Sequence, residues 1–383
     1  MNVSEIIKLI PERYIEELAI EHKSDKYAKK LQAGVMFKLL LHCILSYKDN
    51  SLRRMNSNFE NIFFAYMNGK SETIVHSSIS ERLSTMNPIF FKSLYEKCTE
   101  IYGELLGHSK LLKVDSTIVG LSSSLLHTGF NLKGGDASKL NLIKYTIGIT
   151  NIPIIADIYT ELPYTNENKA MGESLRNYDK NKELIRVFDR GIFSREIYDE
   201  LMDSKTPFVS RINPNCRYKK VETNTIVHFE EKTNIELYSD EIVYLYSVKS
   251  KTKNTFRLIK SRKTDNDGEI WFVTSITCLP THEIADIYKK RWDIEVFFKF
   301  LKQELNFSHF INRSENGIEI ILYSTLIAAI LLLVYKKKNG LSGYKIMKQK
   351  FIQELEYELV KEIVIICGGD VEKMKHLKPK SPP

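Results

Sequence analysis

In the segment YKKRWDIEVFFKFLK, the side chains Tyr288, Arg291, Glu295 and Lys302 stand at spacings that place them on one side of an α-helix. At about 100° per residue they project within an arc of about 60°. One acid beside two cations and a phenol suits phosphodiester chemistry: the acid can hold a divalent cation while the other groups hold phosphate oxygens. Ile294, Phe298 and Leu301 supply the buried side of the same stretch. A solvated row of ion pairs is the plain alternative, and a single carboxylate does not decide between the two.

Two further acids bear on that choice. Asp115 closes the apolar run Leu111-Leu-Lys-Val, and Asp189 closes Leu184-Ile-Arg-Val-Phe. Acids at the C-terminal ends of neighbouring strands can converge on one site. Phosphoryl transfer with two ions about 3.5–4 Å apart needs a small set of carboxylates from separate elements, which Asp115, Asp189 and Glu295 would supply. A strand-end Asp is more commonly a turn former or cap, which fits Asp189 before Arg190-Gly191, and Asp157 in IIADIY is a competing strand-end acid.

The elements that must position these residues can be read from periodicity. Helical spacing of apolar residues over 1–106 predicts a helical N-terminal DNA-binding domain. Within it, Ser77 to Leu83 and Phe90 to Tyr102 flank Pro88 as a helix-turn-helix that would offer Arg82 and Lys92 to DNA, two packed helices without DNA contact being the alternative. Short β-rich runs mixed with helical stretches over 107–212 predict the first part of an α/β domain. Alternating segments over 213–278 read as a β-rich insertion, 279–335 as the remainder of the catalytic domain with its Glu-bearing helix, and 336–383 as a helical C-terminal region, a dimerisation element ending in a frayed basic tail.

Composition sets bounds. The chain of 383 residues can bury a sizeable core, and 43% hydrophobic with 27% charged residues excludes a disordered or fibrous protein. A net charge of +8 suits a polyanionic partner without requiring one. Five scattered cysteines without a CxxC pair read as reduced thiols. The charged N-terminus lacks the apolar region of a secretory signal, and the most apolar run, Ile320 to Tyr335, falls short of a membrane span, so a cytoplasmic, nucleoid-associated protein is expected.

With these residues in place, the chain resembles the DDE-type insertion-sequence transposases, in the branch marked by Tyr, two residues, Arg, three residues, Glu, six residues, Lys (insertion-sequence family four). Tyr288, Arg291, Glu295 and Lys302 match that spacing, and Val114-Asp115-Ser-Thr and Phe188-Asp189-Arg190-Gly191 look like the family's two aspartate motifs. The resemblance covers about residues 110–335 and implies an α/β, ribonuclease-H-like mixed sheet with a β-rich insertion plus helical terminal regions. It implies Asp115, Asp189 and Glu295 as catalytic metal ligands for two Mg²⁺ ions, with Mn²⁺ as substitute. Tyr288, Arg291, Lys302 and Arg190 would grip DNA phosphates.

Trp271 in EIWFVTS resembles the tryptophan that stacks on an extruded base, with a core strand Trp as the alternative, and Trp292 reads as core. Family sequences often carry His where this chain reads Asn141 after Lys139-Leu140. Cut-and-paste transposition through a hairpin intermediate, acting on double-stranded DNA with terminal inverted repeats and on target DNA as a homodimer, is the function so implied. A nuclease or resolvase without strand transfer, or an inactive DNA-binding relic, are the rivals.

Overall fold

The structure, a computed structural model, describes all residues except 48–49, 70–71, 108, 122–129, 132–140, 227–234, 248–250, 265–267, 308–310, 313 and 378–383. Lys139 and Leu140 of the Asn141 motif lie outside the described residues. The chain starts with α1 (Val3–Ile7), α2 (Glu12–Glu21), α3 (Ala33–Ser46), α4 (Leu52–Phe59), α5 (Ile62–Asn68), α6 (His76–Thr85) and α7 (Ile89–Leu106). Local signals set their ends: Asn2 and Glu5 form a capping box on α1, Ser51 and Asn61 cap α4 and α5, and Gly69 ends α5 at a φ of 72°. Pro88, which cannot donate a backbone hydrogen bond, separates α6 from α7.

Strands follow as β1 (Leu111–Leu121), β2 (Phe130–Asn131), β3 (Asn141–Ile149) and β4 (Pro153–Tyr159). Then α8 (Glu167–Asn177), β5 (Ile185–Phe188), α9 (Arg195–Asp203) and β6 (Phe208–Ile212) alternate. Next come β7 (Tyr218–Thr223), β8 (Ile235–Leu245), β9 (Phe256–Lys263) and β10 (Glu269–Thr274). Helices α10 (Thr281–Lys289), α11 (Trp292–Glu304), α12 (Glu315–Lys338) and α13 (Tyr344–Ile366) follow. Among the described residues the strands form one sheet in the order β2-β3-β1-β5-β6-β10-β9-β8-β7, with β4 also on β3. An antiparallel β4-β3-β1 set joined to β5 and β6 running parallel to β1 is the ribonuclease-H-like arrangement. The β-rich segment after β6 extends this same sheet, because β10 pairs antiparallel with β6.

The period-two alternation of β1 divides its side chains between two cores. Leu112 and Val114 join a cluster with Met171 and Leu175 of α8 and Ile197 and Leu201 of α9. Val119 joins the opposite cluster, built with α7, α11, α12 and the N-terminal helices. Helix α12 runs through that second core: 94% of its most apolar window is buried. It is long and apolar enough to cross a membrane by length and composition alone, yet its apolar stretch is buried among the protein's own side chains. The helix is longer than the apolar run because Ser314 caps it and three lysines close it.

Helix α10 is pinned to the far half of the sheet by a buried network. Asp240 accepts from Arg257 Nη2 at 2.6 Å and from Thr281 Oγ1 at 2.7 Å. Burial alone would push the Asp240 carboxyl up, but the hydrogen bonds from Arg257, Asn224 and Thr281 outweigh it and hold it below the usual range. At the C-terminus, residues expected to fray instead form a 3₁₀ segment, Val371–Leu377, where Tyr357 donates to the Met374 carbonyl at 3.4 Å.

Candidate active site

One face of β1 looks onto α11, and three alternate residues meet it in turn. Lys113 Nζ donates to Asp293 Oδ2 at 3.1 Å, Asp115 Oδ2 lies 3.6 Å from Arg291 Nη1, and Thr117 Oγ1 accepts from Lys302 Nζ at 2.6 Å. Asp115 does not close a strand, as its apolar run suggested. It sits inside β1, because pairing with β3 carries β1 on to Leu121. The parallel partner β5 does end there: Lys113 pairs with Val187, and Asp115 and Asp189 each follow two residues later. The two acids therefore stand level, close enough for the Asp189 charge to raise the cost of ionising Asp115.

The stripe read as one helix is split between two. Helix α10 ends at Lys289 and α11 begins at Trp292. Across the joint, Arg291, Asp293 and Ile294 each donate to the carbonyl three residues back, at 2.9, 3.2 and 3.1 Å, a tighter turn than the α-helix. The side chains still converge. Arg291 bonds Glu295 as well as facing Asp115, and its guanidinium lies 5.7 Å from the centre of the Tyr288 ring, which packs on Phe272. Glu295 thus reaches Asp115 through Arg291.

Burial is the main reason that the Asp115 carboxyl is pushed up to about 7, and the negative Asp189 adds to it. The Ser116 N–H, donating at 2.8 Å, and Arg291 oppose the rise. Asp189 accepts the Gly191 N–H at 2.8 Å. A fourth carboxylate, Glu167 at the start of α8, joins this group, its carboxyl raised by burial and then by Asp189, while Lys144 and Arg291 draw it down. Nothing local marked Glu167 as more than a first-turn helix acid. Asp157, the competing acid, titrates among Ser174, Lys92 and Glu173 and stands apart from Asp115 and Asp189.

Other expected contacts are placed differently. Arg82 is 12% exposed at its side chain, donating to the carbonyls of Leu31 and Ser24 and facing Asp25, so it braces the loop between α2 and α3 and is not turned to DNA. Lys92 is exposed on α7 but has Asp157 and Glu319 as charged neighbours. Trp271 is 9% exposed inside the core, its ring 6.1 Å from Tyr218 and its Nε1 donating to Glu269 at 2.6 Å. Lys260 Nζ stands over the ring, 5.0 Å from its centre. Trp292, read as core, is 62% exposed. Arg190 is exposed beside Asp189.

Among the described residues no three acidic, His or Cys groups stand together as a ready metal cage. The donor set nevertheless suits divalent cations. A Cβ on Gly191 would lie 2.5 Å from Glu167 Oε2 and 2.8 Å from Asp189 Oδ1, so the absence of a side chain there lets two carboxylates crowd one place. Crowded, half-buried carboxylates are the hard oxygen ligands that Mg²⁺ or Mn²⁺ takes.

The strand order, with carboxylates gathered over β1 and β5, defines the ribonuclease-H-like class of polynucleotide enzymes. Within that class the chain belongs to the family described as Transposase DDE domain, whose profile matches residues 112–331. It is similar to a Synechocystis sp. protein named for transposition of the insertion sequence element IS4SA, 25% identical over 307 residues that cover 78% of this chain and 81% of the relative. It is also similar to the transposase for insertion sequence element IS231F of Bacillus thuringiensis subsp. israelensis, at 22% identity covering 90% of this chain and 83% of that one.

Proposed function

We propose that this chain catalyses cut-and-paste transposition of an insertion sequence of family four, with Asp115, Asp189 and Glu295 as the catalytic acids. The observation that supports this most directly is the level placement of Asp115 and Asp189 beneath the Arg291–Glu295 pair of α11. These acids would hold two Mg²⁺ ions, with Mn²⁺ as substitute. Bound there, the ions supply a nucleophile activated at neutral pH and neutralise charge on the leaving oxygen.

The chain's own groups do the rest. Arg291 bridges Asp115 and Glu295 in the free protein, restraining two carboxylates that would otherwise repel. The same guanidinium, with Tyr288, Lys302 and Arg190, is suited to hold phosphate oxygens beside the scissile bond. Two ends cut in concert require a homodimer on paired inverted repeats, and the C-terminal helices are the proposed contact. A 3′-hydroxyl freed by the first cut would attack a phosphate of the opposite strand, forming a hairpin and releasing the flanking strand's 3′-oxygen; hydrolysis of the hairpin would free that hydroxyl again to attack a phosphate of the target DNA, from which the target's 3′-oxygen leaves.

Glu295→Gln tests the assignment. It keeps the shape of the side chain and removes its charge, so cleavage of end-containing DNA in Mg²⁺ is expected to fall by about a hundredfold or more. Full activity would remove Glu295 from the mechanism. Joining of a pre-cleaved end to target DNA separates a transposase from a plain nuclease.

A further inference from the structure

Arg291 lies between two of the acids read as metal ligands. Its Nη1 is 3.6 Å from Asp115 Oδ2 and its Nη2 bonds Glu295 Oε1, so one guanidinium is shared by two carboxylates. The group is largely withdrawn from water: the side chains of Arg291 and Asp115 are 13% and 15% exposed, and that of Glu295 is 34% exposed. Among the described residues the buried Nε of Arg291 has no hydrogen-bond partner, so this seat leaves one donor of the fork unmet.

That seat competes with a divalent cation. A carboxylate oxygen engaged by a guanidinium has less to offer a metal, and two cations side by side in a half-buried site repel with little screening. Phosphate is the other strong partner of a guanidinium, matching its fork with two oxygens. Passing from carboxylates to phosphate needs only the side chain to turn. Helix α11 is held on β1 without Arg291, by Lys113 on Asp293 at 3.1 Å and by Lys302 on Thr117 at 2.6 Å. Arg291 itself stands in the joint between α10 and α11.

We propose that Arg291 is a latch: in the chain without DNA it keeps Asp115 and Glu295 closed to divalent cations, and a DNA phosphate opens them by drawing the guanidinium away. Metal and DNA then bind cooperatively, each raising the affinity for the other by the same factor. The inference rests on the reading of Asp115 and Glu295 as metal ligands, and adds to it the order in which the site fills.

The test counts bound Mn²⁺ through the loss of its free electron-paramagnetic signal, on the full chain with and without a duplex carrying a pre-cleaved end, the uptake of the duplex alone being subtracted. Without DNA, Arg291→Gln is expected to bind Mn²⁺ about tenfold more tightly than the wild type. Lys302→Gln removes a second cation that acts on Asp115 but bonds Thr117 and no carboxylate, and should change the affinity by less than about twofold. The duplex is expected to tighten Mn²⁺ binding by the wild type about tenfold and by Arg291→Gln less than about twofold. Unchanged affinity in Arg291→Gln without DNA overturns the proposal, as does an equal gain in Lys302→Gln or a duplex effect of equal size in wild type and Arg291→Gln. Arg291→Lys keeps the charge and loses the fork, so a gain of about threefold is expected without DNA. It keeps the test decisive if Arg291→Gln fails to fold by far-ultraviolet dichroism, and no gain then overturns the latch. Full cleavage by Glu295→Gln would overturn the reading of the site; with that variant inactive, an unchanged Mn²⁺ affinity in Arg291→Gln overturns the latch alone.

Discussion

Replacing Asp115 by Asn is expected to make the metal-free protein more stable while abolishing its chemistry. The carboxyl is held at about 7 against an ordinary value of 3.8, chiefly by burial and then by Asp189. At 1.36 kcal/mol per pH unit, ionising it inside the fold costs on the order of 4 kcal/mol more than in the unfolded chain. Asn removes that cost and keeps an acceptor for the Ser116 N–H at 2.8 Å. With an unfolding entropy of about 2.1 cal/mol/K per residue, 4 kcal/mol corresponds to about 5 °C in a chain of this length.

The sign follows from the direction of the shift. A raised folded pKa means that the folded protein holds its proton more tightly, so wild-type stability falls as pH rises from about 4 to about 7 and is level beyond. The difference in Tm between Asp115→Asn and wild type, measured by calorimetry in EDTA, should therefore be absent near pH 4, grow through pH 6 and be complete by pH 8. A variant that melts at or below the wild type at pH 8 would refute the electrostatic account of this residue.

Two further outcomes test the surroundings of the site. Gly191→Ala places a methyl 2.5 Å from Glu167 Oε2 and 2.8 Å from Asp189 Oδ1, which overpacking puts at about 1–3 kcal/mol of destabilisation; urea unfolding should show that loss, and Mg²⁺-dependent cleavage should fall with it. Asp240→Asn leaves the Arg257 guanidinium buried without its counter-charge and is expected to lower stability by about 3–5 kcal/mol, read by the same urea midpoint, with α10 loosened from the sheet.

Much of the fold was legible because its signals are local. Helix α13 (Tyr344–Ile366) lies in the segment 336–383 whose apolar spacing is helical, and the runs around Ile155 and Val187 became β4 and β5. Caps and prolines act over three or four residues, so they can be read without knowing what packs where. The break between α10 and α11 escaped the same reading, since apolar spacing hardly distinguishes a 3₁₀ joint from a continuous helix.

What the sequence by itself determined is the set of chemical groups and their approximate elements: Asp115 and Asp189 beside β-rich runs of an α/β sheet, and Arg291, Glu295 and Lys302 along a helical segment. Only the tertiary structure decided that Asp115 lies within β1 level with Asp189, that Glu167 joins them, and that Arg82 and Trp271 are turned inward. The reason is that strand pairing and burial are long-range. Which residues oppose Asp115, or cover Trp271, depends on partners dozens to hundreds of residues away, and those contacts exist only once the sheet has closed.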